Sequence, residues 1–503
     1  MQDTAHHAAP ASDAAFDTIL RAFDQSRDIA TNIEHVRQGT VFFAIRAHKS
    51  ASRLNDYLWR IWGYCELYGK PLLQGVDVLL SRGPTTLKQR WQSLRAYQFN
   101  GNAQAQRAIQ QGAACVVIDQ GPAYDERYVR VKDVRATLYE TARRHRLRFD
   151  IPVVGITGSC GKTTTKEWLA SILTRYLNVI ATEANFNTLE GVAHTLFRIN
   201  HKTDAVILEL SASVMETVGE KAQMSCPTIG VITTIGKAHL SGFGDLEGVK
   251  TAKRQLYDYL IAQQQTLVVN TDDPVLMEMA GNYPRKLTYG TSANAAVQGK
   301  TLLNRWTLDL QWHSLHVTPQ IIHTHLFGHY NIANALAAIT IAQQLKASIN
   351  DINDGIAQYE PDNMRSQIMR LGKMTIVLDT YNANPTSMHA ALQDFCQYAP
   401  APRAVILGDM LELGAHSHDE HEALMSFLLS QHIDDIFLVG TANQKSARAP
   451  ARAFSSIEEL SSYLLQNPLH VNSLLIKGSR SMTLEKVLPT LRLMAIENQE
   501  ALA

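Results

Sequence analysis

A short segment in the middle of the chain has the residues of a phosphate-binding loop. The apolar run Pro152–Ile156 leads into Thr157-Gly158-Ser159-Cys160-Gly161-Lys162-Thr163-Thr164, and a helical pattern follows. Glycines let backbone N–H groups turn towards an anion, the helix N-terminus adds partial positive charge, and a lysine reaches terminal phosphates. A hydroxyl at Thr163 is suited to bind magnesium. The segment predicts an ATP site, although a strict Walker A motif would have glycine where Ile156 stands; the alternative is a glycine-rich turn without a ligand.

Three further polar residues follow at positions that could complete such a site. Glu209 lies near the end of the apolar run Ala205–Leu210, and ligands of open α/β folds bind at the carboxyl ends of strands. The spacing leaves open whether Glu209 binds magnesium or is a solvated strand-end glutamate. His239 follows the run Ile229–Ile235, where a structural role is the more common one. Lys253 has the pattern of a helix-surface lysine.

The pattern of strands and helices around these residues predicts an α/β fold. Unalternated apolar runs such as Ala205–Leu210 are typical of central strands covered on both faces, and helical segments separate them. One helix face is predicted from the spacing of Trp168, Leu169, Ile172, Leu173, Tyr176 and Leu177. Two more strands are predicted near the N-terminus, at Thr40–Ile45 and Ala114–Asp119. From about residue 362 the α/β texture repeats, with strands expected at Thr375–Leu378, Ala404–Leu407, Ile436–Val439 and Leu474–Ile476, and a helix at Ser387–Tyr398.

Composition restricts the partners that we expect. The 503 residues carry a formal net charge of +0, without the basic excess of a nucleic-acid binder. No apolar run is long enough to span a membrane, and the N-terminal residues lack the apolar core of a signal peptide. Five scattered cysteines without a CxxC spacing favour reduced thiols. We therefore expect a cytoplasmic protein with small-molecule substrates.

Seven ordered motifs resemble those of the Mur ligase family of amide-forming synthetases. They are Gly155–Lys166, Glu183–Gly191, Gly236–Gly248, Asn270–Pro274, Asp379–Ser387, Leu407–Gly414 and Lys477–Arg480. The resemblance implies an α/β, three-domain architecture. An N-terminal acid-substrate domain would span residues 1–148, a central P-loop ATPase domain residues 149–361, and a C-terminal Rossmann-like domain, which binds the amine, residues 362–503. It also implies a monomer that uses ATP and two magnesium ions.

The resemblance assigns roles that spacing alone does not. Lys162 would bind the terminal phosphates, and Thr163 and Glu209 would hold one magnesium ion. His239 would bind a second, bridged by a carbamylated Lys253. The remaining assignments place Asn185 or Asn187 near the transferred phosphate, Asn331 and Asn334 at the nucleotide base, and Arg365, Asp379, Tyr381 and Asn382 at the phosphates.

The sequence departs from the family pattern mainly where the acid substrate should bind. Asn32-Ile33-Glu34 stands where the family usually has Asp-Ser-Arg, and about residues 46–98 form an insertion before Phe99-Asn100-Gly101-Asn102. The insertion is either a helical cap with its own small core or a new pocket. After Glu209 the family often has Gly-Ala-Asn-His, and this chain has Ser211-Ala212-Ser213-Val214. The usual Gly-x-His-Asn reads Gly328-His329-Tyr330-Asn331.

These observations leave three functions open. The interpretation we favour from the sequence is an ATP-dependent, ADP-forming ligase recruited to another carboxylate, with or without a linked nucleotide, and an amino acid or dipeptide. The alternative is the cell-wall reaction that joins UDP-N-acetylmuramoyl-tripeptide to D-alanyl-D-alanine. A regulatory nucleotide-binding protein with an inactive site is the third, and the retained site residues disfavour it.

Overall fold

The computed structural model describes residues 11–45, 101–184, 186–212, 217–302 and 306–500. Contacts between residues divide the chain into two compact units, residues 1–145 and 146–503. The predicted insertion at 46–98 and Asn185 lie outside the described residues.

The N-terminal unit is built on a four-stranded parallel sheet. Its strands follow chain order, β1 Ile29–Ala30, β2 Val41–Phe43, β3 Cys115–Ile118 and β4 Tyr128–Arg130. The described residues of this unit also form the helices α1 Asp13–Ser26, α2 Gly101–Gln110 and α3 Val134–Arg146. The strands expected at Thr40–Ile45 and Ala114–Asp119 are confirmed, because both runs are buried on the two faces of the sheet.

The second unit contains one 15-stranded sheet whose first part is mostly parallel. The order across this part is β6-β7-β5-β8-β9-β10-β11-β12-β13. Its strands are β5 Val153–Thr157, β6 Val179–Ala181, β7 Ala205–Glu209, β8 Ile229–Ile232, β9 Thr266–Asn270, β10 Lys286–Gly290, β11 Val297–Leu302, β12 Thr307–Ser314 and β13 Val317–Phe327. The strands β5 to β11 pair in parallel, and β12 and β13 turn the edge antiparallel.

Helices connect these strands and carry much of the site. They are α4 Lys162–Leu173, α5 Leu189–Phe197, α6 Val218–Ser225, α7 Leu240–Phe243, α8 Leu246–Ala262, α9 Pro274–Ala280, α10 Ile332–Gln344 and α11 Ile349–Ala357. The buried face of α4 packs into a core formed with β5, β8 and α10. The predicted helix face is confirmed for Trp168, Leu169, Ile172 and Leu173. The helix is shorter than predicted, because α4 ends at Leu173; Tyr176 is partly exposed, whereas Leu177 still packs against the same core.

The last part of the sheet continues from β13 through a single register pair, Leu326 with Gln367. Its order is β14-β15-β19-β16-β17-β18, from β14 Gln367–Leu371, β15 Met374–Asp379, β16 Arg403–Gly408, β17 Asp435–Val439, β18 Arg452–Phe454 and β19 Ser473–Lys477. The helices are α12 Pro385–Tyr398, α13 Ser417–Leu429, α14 Thr441–Ser446, α15 Ile457–Gln466 and α16 Leu488–Glu500. The strands from β15 to β18 are parallel and have apolar side chains buried on both faces, as the sequence predicts.

A close helix–helix contact holds the phosphate-loop helix in place and gives a stability prediction. Gly355 of α11 lies against α4, so a Cβ at Gly355 would approach the Cα of Ile172 to 2.6 Å, and Ser171 donates a hydrogen bond to the Gly355 carbonyl at 2.6 Å. Gly355→Ala must push two backbones apart, and we expect it to lower the free energy of unfolding by about 1–3 kcal/mol. Thermal and urea unfolding measure the change.

Gly219→Ala provides the matched control, because its Cβ would meet only the far end of the Gln255 side chain, at 3.2 Å. Alanine is favoured over glycine inside a helix, so this variant should be neutral or slightly stabilised. Equal effects of the two substitutions would contradict a specific contact between α4 and α11.

Candidate active site

The phosphate loop turns between β5 and α4 on two glycines with positive φ. Gly158 has a φ of 144° and Gly161 a φ of 83°, which L-residues with side chains rarely adopt. A Cβ at Gly158 would collide with Thr233, and one at Gly161 with the Asn334 amide. Thr157, at the end of β5, donates a hydrogen bond to the Leu210 carbonyl at 2.6 Å. The loop therefore requires both glycines in this conformation.

The segment after β8 fixes the other side of this loop. The Ser159 and Cys160 N–H groups donate to Thr234, at 2.9 Å to its carbonyl and 3.0 Å to its hydroxyl. The Ser159 hydroxyl donates to the Gly236 carbonyl at 2.9 Å. Lys162 folds back over the loop, and its Nζ donates to the Gly158 carbonyl at 2.8 Å. The lysine thus lies where an anion held by the loop would meet it.

Glu209 ends β7 as a buried carboxylate with two side-chain donors. It is 2% exposed; its Oε2 accepts the Thr163 hydroxyl at 2.8 Å and its Oε1 accepts the Asn187 amide at 2.9 Å. Thr182, after β6, accepts the Glu209 N–H at 3.0 Å. The alternative of a solvated strand-end glutamate is therefore wrong. Neighbouring strands and the helix α4 bring Thr163, Asn187 and Glu209 together.

Opposing effects act on the ionisation of Glu209. Burial alone raises its pKa, but the positive charges of Lys162 and Arg365 and the hydrogen bonds from Thr163 and Asn187 outweigh burial. The pKa of Glu209 therefore lies below its ordinary value, and the side chain is ionised at neutral pH. Burial lowers the pKa of Lys162, and the Glu209 carboxylate offsets part of this effect.

The geometry fits a magnesium-bound triphosphate at this point. A hydroxyl and an ionised carboxylate 2.8 Å apart are hard oxygen ligands, and magnesium usually takes one or two such groups plus phosphate oxygens. Both glycines leave space that a Cβ would fill. In the described part of the chain, no three His, Cys, Asp or Glu side chains cluster as a metal site.

Lys253 lies on the buried face of α8, so its assignment from the sequence as a helix-surface lysine is wrong. It is 2% exposed and belongs to a stripe at helical spacing, Val249, Ala252, Lys253, Leu256, Tyr257 and Leu260. Burial, followed by the charges of Lys162 and Lys221, holds its pKa well below the ordinary value. A neutral amine is the form that reacts with carbon dioxide, so this environment suits the carbamylation that the resemblance implies.

His239 is held by an acidic residue of the last part of the unit. Its Nδ1 lies 2.5 Å from Oε2 of Glu412, and the hydrogen bond from His239 lowers the pKa of Glu412. β8 ends at Ile232, so His239 lies beyond the strand and precedes α7 with a φ of 54°. Its role as a ligand of the second magnesium ion stays a prediction.

Further contacts join the segment around His239 to the last part of the unit. The Lys237 N–H donates to the Thr386 hydroxyl at 3.1 Å, and the Lys237 Nζ lies 2.5 Å from Glu420. Next to the phosphate loop, Sγ of Cys160 lies 3.4 Å from the side chain of Asn384, which caps α12. These contacts bring the start of α12 to the phosphate loop.

The predicted phosphate residues of the last part surround a buried ion pair. Asp379, at the end of β15, accepts Nζ of Lys477 at 2.6 Å. Arg365 places its guanidinium 3.9 Å from the ring centroid of Tyr381. Its charge also acts on Glu209 and Lys162. The Asn382 carbonyl accepts Lys477 at 3.4 Å. Among these residues, Arg365 is therefore the one whose charge acts on groups at the phosphate loop.

The predicted base-binding amides form a buried chain at the start of α10. Asn334 donates to Oδ1 of Asn331 at 2.9 Å, and Asn331 donates to the Phe327 carbonyl at 2.9 Å. Oδ1 of Asn334 lies 3.4 Å from the Thr165 hydroxyl, one turn into α4. Tyr330, which departs from the family pattern, is partly buried and shares a hydrogen bond of 2.8 Å with Ser366. The chain links the phosphate-loop helix to the Phe327 backbone.

Sequence reasoning missed Lys221, Ser211 and Glu412 as residues around the site. Lys221 is fully buried in α6, and its Nζ donates to the Ser211 carbonyl at 2.8 Å. A signal for it exists in the sequence, because Val218, Lys221, Ala222 and Ser225 follow the spacing of a buried stripe. Glu412 lies in a recognised motif, but its pairing with His239 across about 170 residues of sequence carries no local signal.

Two domain profiles match the second unit. The Mur ligase middle domain matches residues 156–342, and the Mur ligase glutamate ligase domain matches residues 364–480. A UDP-N-acetylmuramoyl-tripeptide–D-alanyl-D-alanine ligase from Synechocystis is 31% identical over 375 residues, which cover 73% of this chain and 79% of that protein. The chain belongs to the Mur ligase family. As a Mur ligase it is an ATP-dependent, ADP-forming enzyme, as the motifs predict.

Other Mur ligases agree with this assignment. The Escherichia coli K12 enzyme with the same name as the Synechocystis protein is 29% identical over 84% of this chain and 95% of its own length. MurF from Acinetobacter baumannii superposes with a TM-score of 0.77, at 24% identity over 95% of this chain and 98% of its own. MurF from Thermotoga maritima in complex with ADP also gives 0.77, at 20% identity over 96% and 99%. These structures confirm the Mur ligase fold. Within the described residues, no helix is long and apolar enough to cross a membrane.

The buried lysine of this Mur ligase gives a pH-dependent prediction. The pKa of Lys253 is lower in the folded protein than in the unfolded chain, so the unfolded chain binds the proton more tightly. This difference destabilises the folded protein by its full amount at a pH below the pKa of the folded state. The destabilisation disappears as the pH rises past the pKa of the unfolded chain, about 10.4. Lys253→Met should therefore melt above the wild type at pH 7, and the difference should shrink towards pH 10.

Calorimetry in bicarbonate-free buffer without nucleotide measures this effect. Lys250→Met, on the same helix but outside the buried stripe, serves as the control and should change the melting temperature little at any pH. A Lys253→Met protein that melts below the wild type at pH 7 would show that the lysine stabilises the fold instead.

Proposed function

We propose that this Mur ligase joins UDP-N-acetylmuramoyl-tripeptide to D-alanyl-D-alanine with cleavage of ATP to ADP and phosphate. The observation that carries the choice of substrates is the similarity to enzymes named for this reaction, which extends over 95% of the Escherichia coli protein. This similarity favours the cell-wall reaction over the recruited ligase that the N-terminal departures suggested.

The proposed reaction has two steps. An oxygen of the acid's carboxylate attacks the γ-phosphorus, the bond to ADP breaks, and an acyl phosphate forms. The dipeptide amine then attacks the carbonyl carbon, the C–N bond forms, and phosphate leaves while the amine loses a proton. The first step brings two anions together, so its barrier depends on neutralising their charge.

The residues of the phosphate loop would carry out this neutralisation. Lys162 lies at the loop with Glu209 beside it, and we assign Lys162 to the terminal phosphates. Thr163 and Glu209 would hold magnesium, which supplies charge neutralisation at the phosphates when it is bound. Asn187, already bonded to Glu209, would lie near the transferred phosphate. The second magnesium ion, with His239 and a carbamylated Lys253, is part of the same proposal.

The last part of the unit would complete the nucleotide site. Arg365 acts electrostatically on Glu209, which supports its assignment to the phosphates together with Asp379, Tyr381 and Asn382. Asn331 and Asn334 would recognise the base. We retain the division into residues 1–148 for the acid, 149–361 for ATP and 362–503 for the amine, and a monomer, as parts of the proposal.

A second candidate function is a ligase for a different carboxylate. It is supported by Asn32-Ile33-Glu34, since Glu34 lies exposed in the short helical turn Ile33–His35 where the family usually has an arginine. An acidic side chain there is poorly suited to bind an anionic acid substrate. The same assay separates the two candidates.

Phosphate release from ATP with magnesium tests the proposal, with mass spectrometry of the product. We expect turnover only when UDP-N-acetylmuramoyl-tripeptide and D-alanyl-D-alanine are both present. Lys162→Met and Glu209→Gln should each reduce kcat by about 100- to 1000-fold, because the first removes a cation at the phosphates and the second a carboxylate ligand of the magnesium ion that neutralises them. Lys300→Met, at an exposed position on β11, should leave kcat unchanged.

Each possible outcome of this assay identifies a different error. A folded wild-type protein that binds ATP but does not turn over this substrate pair would contradict the cell-wall reaction and favour the second candidate. Full activity of Glu209→Gln would contradict the assigned metal ligand, whichever acid is the substrate.

A further inference from the structure

One buried lysine near the phosphate loop has no role in the reaction as described so far. Lys221 is 0% exposed and lies on the buried stripe of α6. Its charge acts on Lys253, which places it beside the candidate active site. A buried ammonium group is costly to desolvate, and an apolar side chain of similar volume would fill the same space. Its contacts indicate what it does there.

A continuous chain of hydrogen bonds leads from Lys221 to Glu209. Nζ of Lys221 donates to the Ser211 carbonyl at 2.8 Å and lies 3.4 Å from the Ser211 hydroxyl. That hydroxyl donates to the Asn187 carbonyl at 2.7 Å. The Asn187 amide donates to Glu209 at 2.9 Å, and Glu209 accepts Thr163 with its other oxygen. Five residues, from Lys221 to Thr163, thus connect α6 with the phosphate-loop helix.

The chain of bonds ties the turn before α5 to the strand that carries Glu209. Asn187 lies in the turn between β6 and α5, next to the Thr188 cap of α5. Ser211 continues β7 by two residues, so its bond to Asn187 ties this turn to the strand that carries Glu209. Ser211 is also one of the departures from the family pattern, which often has a glycine there. A glycine would have no hydroxyl to make this connection.

We propose that Lys221 and Ser211 are positioning residues that hold Asn187 and Glu209 in the geometry for magnesium-bound ATP. Lys221 holds the backbone just after β7 through the Ser211 carbonyl. The Ser211 hydroxyl then holds the Asn187 backbone, and the Asn187 amide fixes one oxygen of Glu209. Groups that orient metal ligands in this manner affect metal affinity strongly although they touch neither metal nor substrate. This inference rests on the proposed function only in that magnesium-bound ATP is the ligand of the site.

Calorimetric titration of the full-length protein with ATP, in magnesium and separately in EDTA, tests the inference without acid or amine substrate. We expect Lys221→Met to weaken the magnesium-dependent gain in ATP affinity by about tenfold or more, and to leave the affinity in EDTA within about twofold, because the loop that binds phosphate without the metal stays intact. Ser211→Ala should weaken the gain less, since the Lys221 bond to the carbonyl of residue 211 remains.

The double variant tests whether the two residues act through one connection. If they do, adding Ser211→Ala to Lys221→Met should cost little beyond Lys221→Met alone, because residues in one hydrogen-bond network are not additive. Ser225→Ala is the matched control: Ser225 is buried on the same helix, and its hydroxyl donates to the Lys221 carbonyl at 2.7 Å. It should lower the melting temperature without changing the magnesium dependence.

Several results would overturn the inference. They are a folded Lys221→Met with the wild-type magnesium dependence, equal losses in magnesium and EDTA, or a wild-type ATP affinity that does not depend on magnesium. Should Lys221→Met not fold, a wild-type response of Ser211→Ala would have the same meaning. Normal magnesium-dependent ATP binding without turnover of the proposed substrate pair would contradict the proposed function alone.

Discussion

The hydrogen bond between Thr163 and Glu209 is the interaction on which the rest of the site depends. It joins the first turn of α4, which carries Lys162 and Thr163, to the end of β7, which carries Glu209. The bond forms because β7 lies directly beside β5, so that the carboxyl ends of both strands meet at one edge of the sheet. A buried carboxylate is tolerated there since Lys162, Arg365, Thr163 and Asn187 together offset its desolvation.

The last part of the unit contributes to this edge through the loops after its strands. In the described residues, the sheet passes from one part to the other at Leu326 and Gln367, and further contacts fix the approach of α12. Cys160 with Asn384, and Lys237 with Thr386 and Glu420, provide such contacts. The two parts also share an apolar core, in which Leu240, Val249 and Phe327 pack with Val377 and Met388. Polar and apolar contacts therefore hold the two parts together at this edge.

The sequence predicts the positions of the strands more accurately than it predicts the burial and the partners of individual side chains. Buried parallel strands are continuous apolar runs, so β5, β7 and β16 could be read directly, whereas the antiparallel strands β12 and β13 carry alternating polar residues and were not predicted. Glu209 was located by its strand, but its burial follows from its neighbours. The prediction for Lys253 is wrong because charged residues are usually exposed, whereas its spacing from Val249 and Leu256 places it on the buried face of the helix. The pairing of His239 with Glu412 depends on tertiary structure alone.

Positive side chains around Glu209 and Lys253 give this site a physical reason to favour a polyphosphate. The charges of Lys162 and Arg365 act on Glu209, and the charges of Lys162 and Lys221 act on Lys253 and favour its neutral form. Such a cluster destabilises the protein on its own, because like charges repel strongly where water is excluded. A triphosphate would relieve this repulsion, and a ligand that binds only the folded state stabilises it in proportion to its affinity. Carbamylation of Lys253 would also relieve this repulsion, since it adds an anion that attracts Lys162 and Lys221. The positive charges that lower the stability of the free protein are therefore the feature that favours ATP at the phosphate loop.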